Sequence, residues 1–332
     1  MTKSAVKEVP TREGALWPAL REYWHAVAWS NDVTPDRITS VRLLDEDIAV
    51  CKLGGRLVAF SDLCIHRGTP ISLGTIEGDK VVCCYHGWEY NAEGKCVRIP
   101  SLPVEHSIPK RACLQTYQAQ ERYGMVWVCL FDEPRAPIPE CPLAEDPSNK
   151  FAHQSSFFWN ASAARRTENF FDQGHFAFVH RGYLGSPDKP EVGDTTIERD
   201  GEILHFWVDV PSDGTHSVSY RRNYSVFRPF TIYQRKEMQG GEKKKREQNE
   251  IYLHTTCPHS AETSTHFMRI YRNYDPEPGK ERGAEECSDI IMEQDRVIVE
   301  RQRPEELPLD LSEELHVKGP DSIAIAYRRF MK

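Results

Sequence analysis

The sequence has no long hydrophobic run. Nothing in its 332 residues approaches the roughly 18 uncharged apolar residues that a membrane-spanning helix needs, and the mean hydropathy is −0.59. Residues 1–12 are polar and contain no apolar centre of the kind found in a secretory signal. We therefore expect a cytoplasmic protein that neither spans nor binds a membrane.

An excess of positive charge is also missing. The chain has 42 basic and 50 acidic residues, a formal net charge of −8, which argues against nucleic acid as the main partner. Its ten cysteines are far too sparse for a disulfide scaffold, and in a reducing cytosol their thiols are free or metal-bound. No internal repeat is visible, so solenoid folds are excluded as well.

The order of the sequence patterns predicts an α+β protein with two domains. Residues 39–131 read as short strands separated by glycine-containing turns, and a proline-dense stretch follows. The second half combines strands with two helices, at 166–181 and 284–303. We expect a small all-β domain at 39–150 and a larger domain at 151–332, with an antiparallel sheet covered by helices. Residues 1–38 are expected to pack on the larger domain.

Two Cys/His pairs lie in the all-β part, Cys64-x-His66 and Cys83-x-x-His86. Two thiolates and two imidazoles suit tetrahedral zinc, but zinc motifs usually pair Cys with Cys and His with His. Here each pair combines one Cys with one His. This mixed pairing fits a Rieske [2Fe–2S] cluster, in which one iron takes two thiolates and the other takes two imidazoles.

The flanking residues strengthen this interpretation. The runs CIHRG and CCYHGW closely resemble the two cluster-binding loops of the Rieske oxygenases. The resemblance implies that Cys64 and Cys83 ligate one iron, and that His66 and His86 ligate the other. The family usually has proline where this chain has Cys84. The C-x-x-H spacing selects Cys83 as the ligand and leaves Cys84 beside the cluster.

A second motif lies in the predicted helix at 166–181, where His175 and His180 are five residues apart. On a straight α-helix this spacing separates them by about 140°, too wide for one metal ion. We therefore predict a π-bulge or a helix end between them. Phenylalanines make this segment apolar almost all round, so Asp172 and both histidines need polar partners.

The pattern N-x-x-D-x-x-H-x-x-x-x-H resembles the catalytic-domain motif of the Rieske non-haem iron oxygenases at Asn169, Asp172, His175 and His180. The resemblance implies that the two histidines ligate a mononuclear Fe(II), and that Asn169 and Asp172 serve catalysis. Asp172 would hydrogen-bond His175 and also His86 of the partner subunit. These two contacts would connect the cluster, which relays electrons, to the iron site.

An iron site that activates O2 needs a carboxylate beside two histidines. The C-terminal helix offers four candidates: Asp289, Glu293, Asp295 and Glu300. The family ligand is an aspartate that follows an acidic or amide residue late in the chain, which favours Asp295. A further group, Cys257 and His259 with His254 and His266 nearby, is interpreted as structural because no second cysteine accompanies it.

The resemblance covers nearly the whole chain and implies the terminal oxygenase of a multicomponent Rieske system. Electrons from NAD(P)H reach it through a separate reductase or a ferredoxin. A chain of this length suggests a homotrimer without β subunits. We expect O2-dependent hydroxylation or oxidative demethylation of a small, cyclic organic substrate. A cis-dihydroxylating enzyme and a non-catalytic electron-transfer protein are the alternatives. Candidate pocket residues are Phe170, Phe176 and one of Trp207 or Tyr233.

Overall fold

The computed structural model describes residues 16–193, 195–210, 219–239, 248–274 and 281–332; in the last range, side chains are described from residue 288. The chain divides into two units. The smaller comprises residues 19–138 and 258–260, and the larger comprises residues 139–257 and 261–332 together with 16–18. Their strands and helices confirm an α+β protein with a small all-β part and a larger sheet-containing part.

Ten strands build the smaller unit, in a six-stranded sheet of order β1-β10-β9-β4-β3-β2 and a four-stranded sheet of order β5-β6-β7-β8. Their bounds are β1 (His25–Trp29), β2 (Thr39–Leu43), β3 (Glu46–Leu53), β4 (Arg56–Ser61), β5 (Thr75–Glu77), β6 (Lys80–Val82), β7 (Glu89–Tyr90), β8 (Cys96–Arg98), β9 (Thr116–Arg122) and β10 (Met125–Cys129).

The six-stranded sheet begins earlier in the chain than expected. β1 is buried along its whole length and pairs with β10, which is equally buried. The expectation that residues 1–38 pack on the larger domain is therefore wrong for residues 19–38, because β1 completes this sheet. Residues 1–15 lie outside the described ranges. The boundary at 150 is also corrected, since the smaller unit ends at residue 138.

The larger unit contains a seven-stranded sheet of order β11-β17-β16-β15-β14-β13-β12 together with helices. Its elements are α2 (Pro142–Glu145), β11 (Lys150–Trp159), α3 (Ala163–Phe171), α4 (Phe176–Val179), β12 (Thr196–Asp200), β13 (Ile203–Val210), β14 (Ser219–Phe227), β15 (Thr231–Gln239), β16 (Asn249–Ser260), β17 (Thr263–Arg272), α5 (Glu281–Val299) and α6 (Ser322–Met331); α1 (Trp17–Leu20) precedes β1.

Strand alternation decides which side chains share a face of this sheet. In β13 and β14 the even-numbered residues other than Val210 are buried, and the odd-numbered residues are less so. The antiparallel register places even residues of neighbouring strands opposite one another, such as Tyr224 opposite Gln234 and Gln234 opposite Tyr252. One face of the sheet therefore presents rows of even-numbered side chains.

The predicted helix at 166–181 is two helices. The Ser162 side chain caps α3 by accepting a hydrogen bond from the Arg165 N–H, 3.2 Å away. α3 ends because Asp172 adopts an extended conformation, and one short helical turn, α4, follows. His175 immediately precedes α4 and His180 immediately follows it. Of the two predicted distortions, the structure has the helix end.

Among the described residues, we find no helix with the length and apolar character needed to cross a membrane.

Candidate active site

Two turns of the smaller unit carry the Cys/His pairs, and both close in the same way. The Gly68 N–H donates to the Cys64 carbonyl and the Gly87 N–H donates to the Cys83 carbonyl, each at 2.9 Å. Both glycines have φ near +70°, where a side chain would be strained. A glycine four residues after each cysteine thus lets both turns fold back on themselves.

The thiols lie inside these turns and the imidazoles lie further out. Cys64 and Cys83 are buried, whereas the His86 side chain is exposed. The rings of His66 and His86 are 4.4 Å apart edge to face, and Trp88 stacks on His66 at 4.5 Å. His66 Nδ1 is buried and has no hydrogen-bond partner in the part of the chain that the structure describes, which fits a nitrogen reserved for a metal.

The four donors fit two irons better than one zinc ion. No three of their ligand atoms all lie within 4.8 Å of one another. In the described ranges, one other group of residues meets this distance condition, and no further group does. A cluster that binds thiolates on one iron and imidazoles on the other needs such a spread. Cys84 is exposed, while Cys83 is buried with Cys64, as the C-x-x-H spacing predicts for the ligand.

The group that does meet that condition is His175, His180 and Asp295. The two Nε2 atoms lie 3.1 Å apart. Asp295 Oδ1 lies 3.3 Å from the first and 3.0 Å from the second. Two short chain segments around α4 and one residue of α5 therefore bring two imidazoles and one carboxylate to a single point, the donor set of a facial triad.

The outer nitrogens of both rings are hydrogen-bonded to acceptors. His175 Nδ1 lies 3.0 Å from Asp172 Oδ2, and His180 Nδ1 lies 2.9 Å from Gln294 Oε1. Because carboxylate and amide oxygens accept only, both Nδ1 atoms carry a proton, and in the neutral rings that a metal requires both Nε2 atoms present lone pairs. Among the described residues, no hydrogen-bond donor is found for the buried Asp295 Oδ1. Three lone pairs this close repel each other unless a cation lies between them, and a metal ion fits that position.

Electrostatics favour positive charge at the same point. Burial lowers the pKa of His175, but the carboxylates of Asp172 and Asp295 outweigh burial and raise that pKa to about 9. Burial raises the pKa of Asp295, yet the imidazoles of His175 and His180 and the guanidinium of Arg166 hold it well below its usual range. Both shifts reward a cation at the centre of the triad.

The other carboxylates considered from the sequence lie elsewhere. Asp289 Oδ1 lies 3.4 Å from His153 Nε2, and the exposed Glu293 carboxylate pairs with Arg296. Glu300 accepts a hydrogen bond from the Asn160 N–H at 2.9 Å.

Among the described residues, Asn169 makes no hydrogen bond to the triad. Its Oδ1 accepts a hydrogen bond of 2.7 Å from Arg166, whose guanidinium is fully buried between Trp159 and Phe170. The charge of Asp295 acts on Arg166, although burial is the larger influence and lowers its pKa to about 10. We assign Asn169 to the support of Arg166, not to contact with the metal.

Sequence reasoning missed Gln294 and Arg166. Gln294 precedes the favoured carboxylate directly, which was the only signal for it. Arg166 lies three residues before Asn169, one helical turn away on the same face, and this spacing indicates their contact.

A cavity of about 340 Å³ adjoins the triad, and we name it the sheet cavity. His180 and Asp295 lie in its wall beside Phe170 and Phe176, as expected from the sequence. The sheet contributes even-numbered residues, namely Tyr220, Arg222, Tyr224, Gln234, Lys236, Glu250, Tyr252, His254 and Met268.

Trp207 and Tyr233 are not in this wall, so that expectation is wrong. Both occupy odd positions of their strands, and strand alternation turns them to the other face of the sheet. His254 and His266 hydrogen-bond to each other at 2.9 Å and form no metal group within the described ranges. His254 nevertheless borders the cavity, and its buried Nε2 has no hydrogen-bond partner in the described residues.

Two family profiles match the chain. The Rieske [2Fe–2S] domain matches residues 23–118, and the vanillate O-demethylase oxygenase C-terminal domain matches residues 159–332. The first contains both Cys/His turns, and the second contains the triad.

Curated relatives match over almost the whole chain. The methylxanthine N1-demethylase NdmA of Pseudomonas putida is 31% identical over 330 residues, 94% of this chain and 88% of the relative. The structure of NdmA with caffeine superposes with a TM-score of 0.84 at 30% identity, covering 95% of this chain and 90% of that one. Dicamba monooxygenase bound to dicamba reaches 0.80 at 18% identity, covering 94% and 96%, a likeness of fold alone.

Proposed function

The chain belongs to the Rieske non-haem iron oxygenases, and from this we propose that His175, His180 and Asp295 hold the mononuclear iron of a terminal monooxygenase. The family carries a Rieske [2Fe–2S] cluster and a mononuclear iron, and it oxidises small cyclic substrates with O2 and reductase-supplied electrons. The observation that carries the proposal is the convergence of three lone pairs at the wall of the sheet cavity.

Cys64, Cys83, His66 and His86 are proposed to hold the cluster. When bound, the two iron centres supply electron transfer and O2 activation. The chain's own residues supply binding and orientation. Asp172 and Gln294 fix the tautomer of the two histidines, and the aromatic side chains of the cavity surround the substrate.

We favour oxidative demethylation as the first form of the reaction to test. The matching C-terminal profile and the relatives compared over most of the chain carry demethylase names. Hydroxylation of a methyl carbon on nitrogen or oxygen leads to loss of formaldehyde. Substrate-dependent O2 uptake and formaldehyde release, measured with methoxy- and methylamino-aromatic compounds and a matching reductase, test this reaction.

Asp172 is proposed to connect His175 with His86 of the partner subunit. Its carboxylate holds the His175 Nδ1–H, and its side chain remains 39% exposed. Asp172→Asn keeps the size but removes the charge, so NAD(P)H-coupled turnover should fall while both iron centres stay loaded. Asp188→Asn, at an exposed aspartate nearby in the chain, is the control. Turnover of Asp172→Asn at the wild-type rate would contradict the connection.

A homotrimer is proposed because both units expose apolar side chains beside their metal sites. Leu63, Ile65 and Tyr85 are exposed around the cluster turns. Phe178, between the two histidine ligands, and Ile298, one turn after Asp295, are exposed in the larger unit. Head-to-tail packing of the first set on the second closes a ring and hides both from water.

Mixed oligomers test this assembly. A Cys83→Ala subunit lacks the cluster and an Asp295→Asn subunit lacks the mononuclear iron, so each alone should be inactive. Co-expression should restore part of the activity, because the cluster of one subunit would serve the iron of the next. No recovery in mixed oligomers that light scattering shows to be trimers would contradict the arrangement.

A reducing compartment, the cytoplasm, is proposed as the location. It fits the nine cysteines of the described ranges, none of which is in a disulfide.

A further inference from the structure

Three charged side chains stand in one row across the sheet cavity. Arg222 of β14 lies opposite Lys236 of β15, and Lys236 lies opposite Glu250 of β16. All three line the cavity that His180 and Asp295 also line. We call these three residues the charged row.

The charged row does not balance its own charge. Lys236 Nζ lies 3.5 Å from Glu250 Oε2, so these two neutralise each other. Arg222 has no such neutralising partner in the charged row. It lies directly opposite Lys236 on the neighbouring strand, and this pairing of two cations is unfavourable by itself. Apart from Asp295, which belongs to the metal triad, the described wall of the cavity therefore carries one uncompensated positive charge.

Arg222 is buried, with 8% of its surface exposed. Its guanidinium donates a hydrogen bond of 3.0 Å to the Tyr220 hydroxyl and lies 5.1 Å from the centre of the Phe176 ring. Within the described residues, no carboxylate lies within 4.0 Å of it to form an ion pair. A buried cation held only by neutral aromatic groups is costly, and an anion beside it offsets this cost.

The same guanidinium borders a second cavity of about 340 Å³, next to residues 189–193. That stretch contributes one basic and one acidic side chain, Lys189 and Glu191, so their formal charges sum to zero. Asp209, also in that wall, is bound by Arg221 through two hydrogen bonds of 2.7 and 2.8 Å. Among the residues that the structure describes, the second cavity therefore does not supply the missing negative charge.

We propose that the substrate carries one oxyanion group, such as a carboxylate or a sulfonate, and that Arg222 binds it. The inference rests on the proposed oxygenase function, since it places the substrate in the cavity beside the metal triad. Phe176 precedes His180 by one helical turn and lies against Arg222, so an anion there is one aromatic ring away from the iron ligands. The planar guanidinium matches a planar carboxylate with paired hydrogen bonds.

The test compares acids with neutral compounds of the same shape. The pairs are 4-methoxybenzoate with 4-methoxybenzamide and phenylacetate with phenylacetamide. Equilibrium dialysis against the cluster- and iron-loaded protein, without O2 and reductase, measures binding alone. We expect at least one acid to bind about 30-fold or more tightly than its amide, the ratio that a buried charge pair supports.

Variants then assign the preference to Arg222. Arg222→Met should abolish it, and Arg222→Lys should keep part of it because the charge remains. Arg235→Met is the matched control, since it removes a cation from an odd-numbered position of β15, on the other face of the sheet, where Arg235 pairs with Glu237, and should leave the preference intact. If Arg222→Met does not fold, two measurements still test the proposal: the acid-over-amide preference of the wild-type protein and its partial retention in Arg222→Lys.

Three results would overturn the inference: equal binding of acid and amide in every pair, binding of neither member of any pair, or an acid preference that Arg222→Met retains. Failure of the proposed function has a different signature. In that case the acid preference depends on Arg222, but no bound acid stimulates O2 uptake when reductase and NAD(P)H are added.

Discussion

Gln294 offers the sharpest test of the triad, because it touches only the outer nitrogen of one ligand. Its Oε1 accepts the His180 Nδ1–H at 2.9 Å, and the His180 ring is fully buried. Gln294→Leu keeps the approximate size of the side chain but removes this acceptor. The ring must then bury an unpaired N–H or move its proton to Nε2, the nitrogen that faces the metal position.

The two outcomes for the ring have a similar cost. An unsatisfied buried donor costs about 1–3 kcal/mol, which corresponds to roughly 5- to 150-fold in an equilibrium constant. Loss of a hydrogen-bond partner behind a ligating histidine typically weakens metal binding by about 10- to 100-fold. We therefore expect Gln294→Leu to bind Fe(II) at the mononuclear site about 10- to 100-fold more weakly than the wild-type protein. This expectation lies within the range of roughly 5- to 150-fold that follows from the unsatisfied buried donor.

Anaerobic competition with a chromophoric Fe(II) chelator measures this affinity, and the visible absorbance of the cluster reports that the smaller unit is intact. Glu293→Leu is the matched control, since Glu293 precedes Gln294 on α5 and its exposed carboxylate pairs with Arg296. Gln294→Glu retains an acceptor oxygen and should retain affinity. An affinity of Gln294→Leu indistinguishable from wild type would refute the assigned tautomer and, with it, the lone-pair argument.

Three further predictions concern the metal sites and the stability of the larger unit. Asp295→Asn should lose the mononuclear iron and keep about two irons and two sulfides of the cluster, as counted by iron and acid-labile sulfide analysis; full iron content would exclude Asp295 as a ligand. Cys84→Ser should keep the cluster spectrum and Cys83→Ser should abolish it, because only the buried thiol of the two lies with Cys64; the reverse result would exchange their roles. Arg328→Met should lower the free energy of unfolding by about 3 kcal/mol, since buried Glu168 loses the cation that it contacts at 2.6 Å while Glu314 keeps Arg165 at 2.7 Å, whereas Arg329→Met, exposed on the same helix, should have little effect in denaturant titrations.

The sequence predicts the parts of the site that depend on spacing. The five-residue separation of His175 and His180 indicates a break between them, because no straight helix brings both to one metal. It does not decide between a bulge and an end. That choice depends on the extended backbone of Asp172, which ends α3, and its carboxylate also accepts the Gly174 N–H.

Features that depend on strand register are not predictable in the same way. Arg222, Lys236 and Glu250 are separated by two intervals of fourteen residues, and nothing in the chain marks them as neighbours until the strands are paired. The same limit explains the error over Trp207, since a strand pattern fixes which residues alternate but not which face meets the cavity. β1 was misplaced for a related reason: a short apolar run does not state which sheet it joins.

The metal donors and the cavity floor come from different kinds of elements. His175 and His180 flank α4 and Asp295 belongs to α5, whereas the floor consists of even-numbered side chains on β14 to β16. A change at one of those strand positions alters one side chain of the floor and leaves in place the helices that are proposed to hold the iron. A combinatorial library confined to these positions would therefore search for new substrates while every member inherits the same oxidising centre. The side chains that would select the substrate and those that would hold the iron therefore lie on different elements of the fold. Directed evolution can change the first set without changing the second.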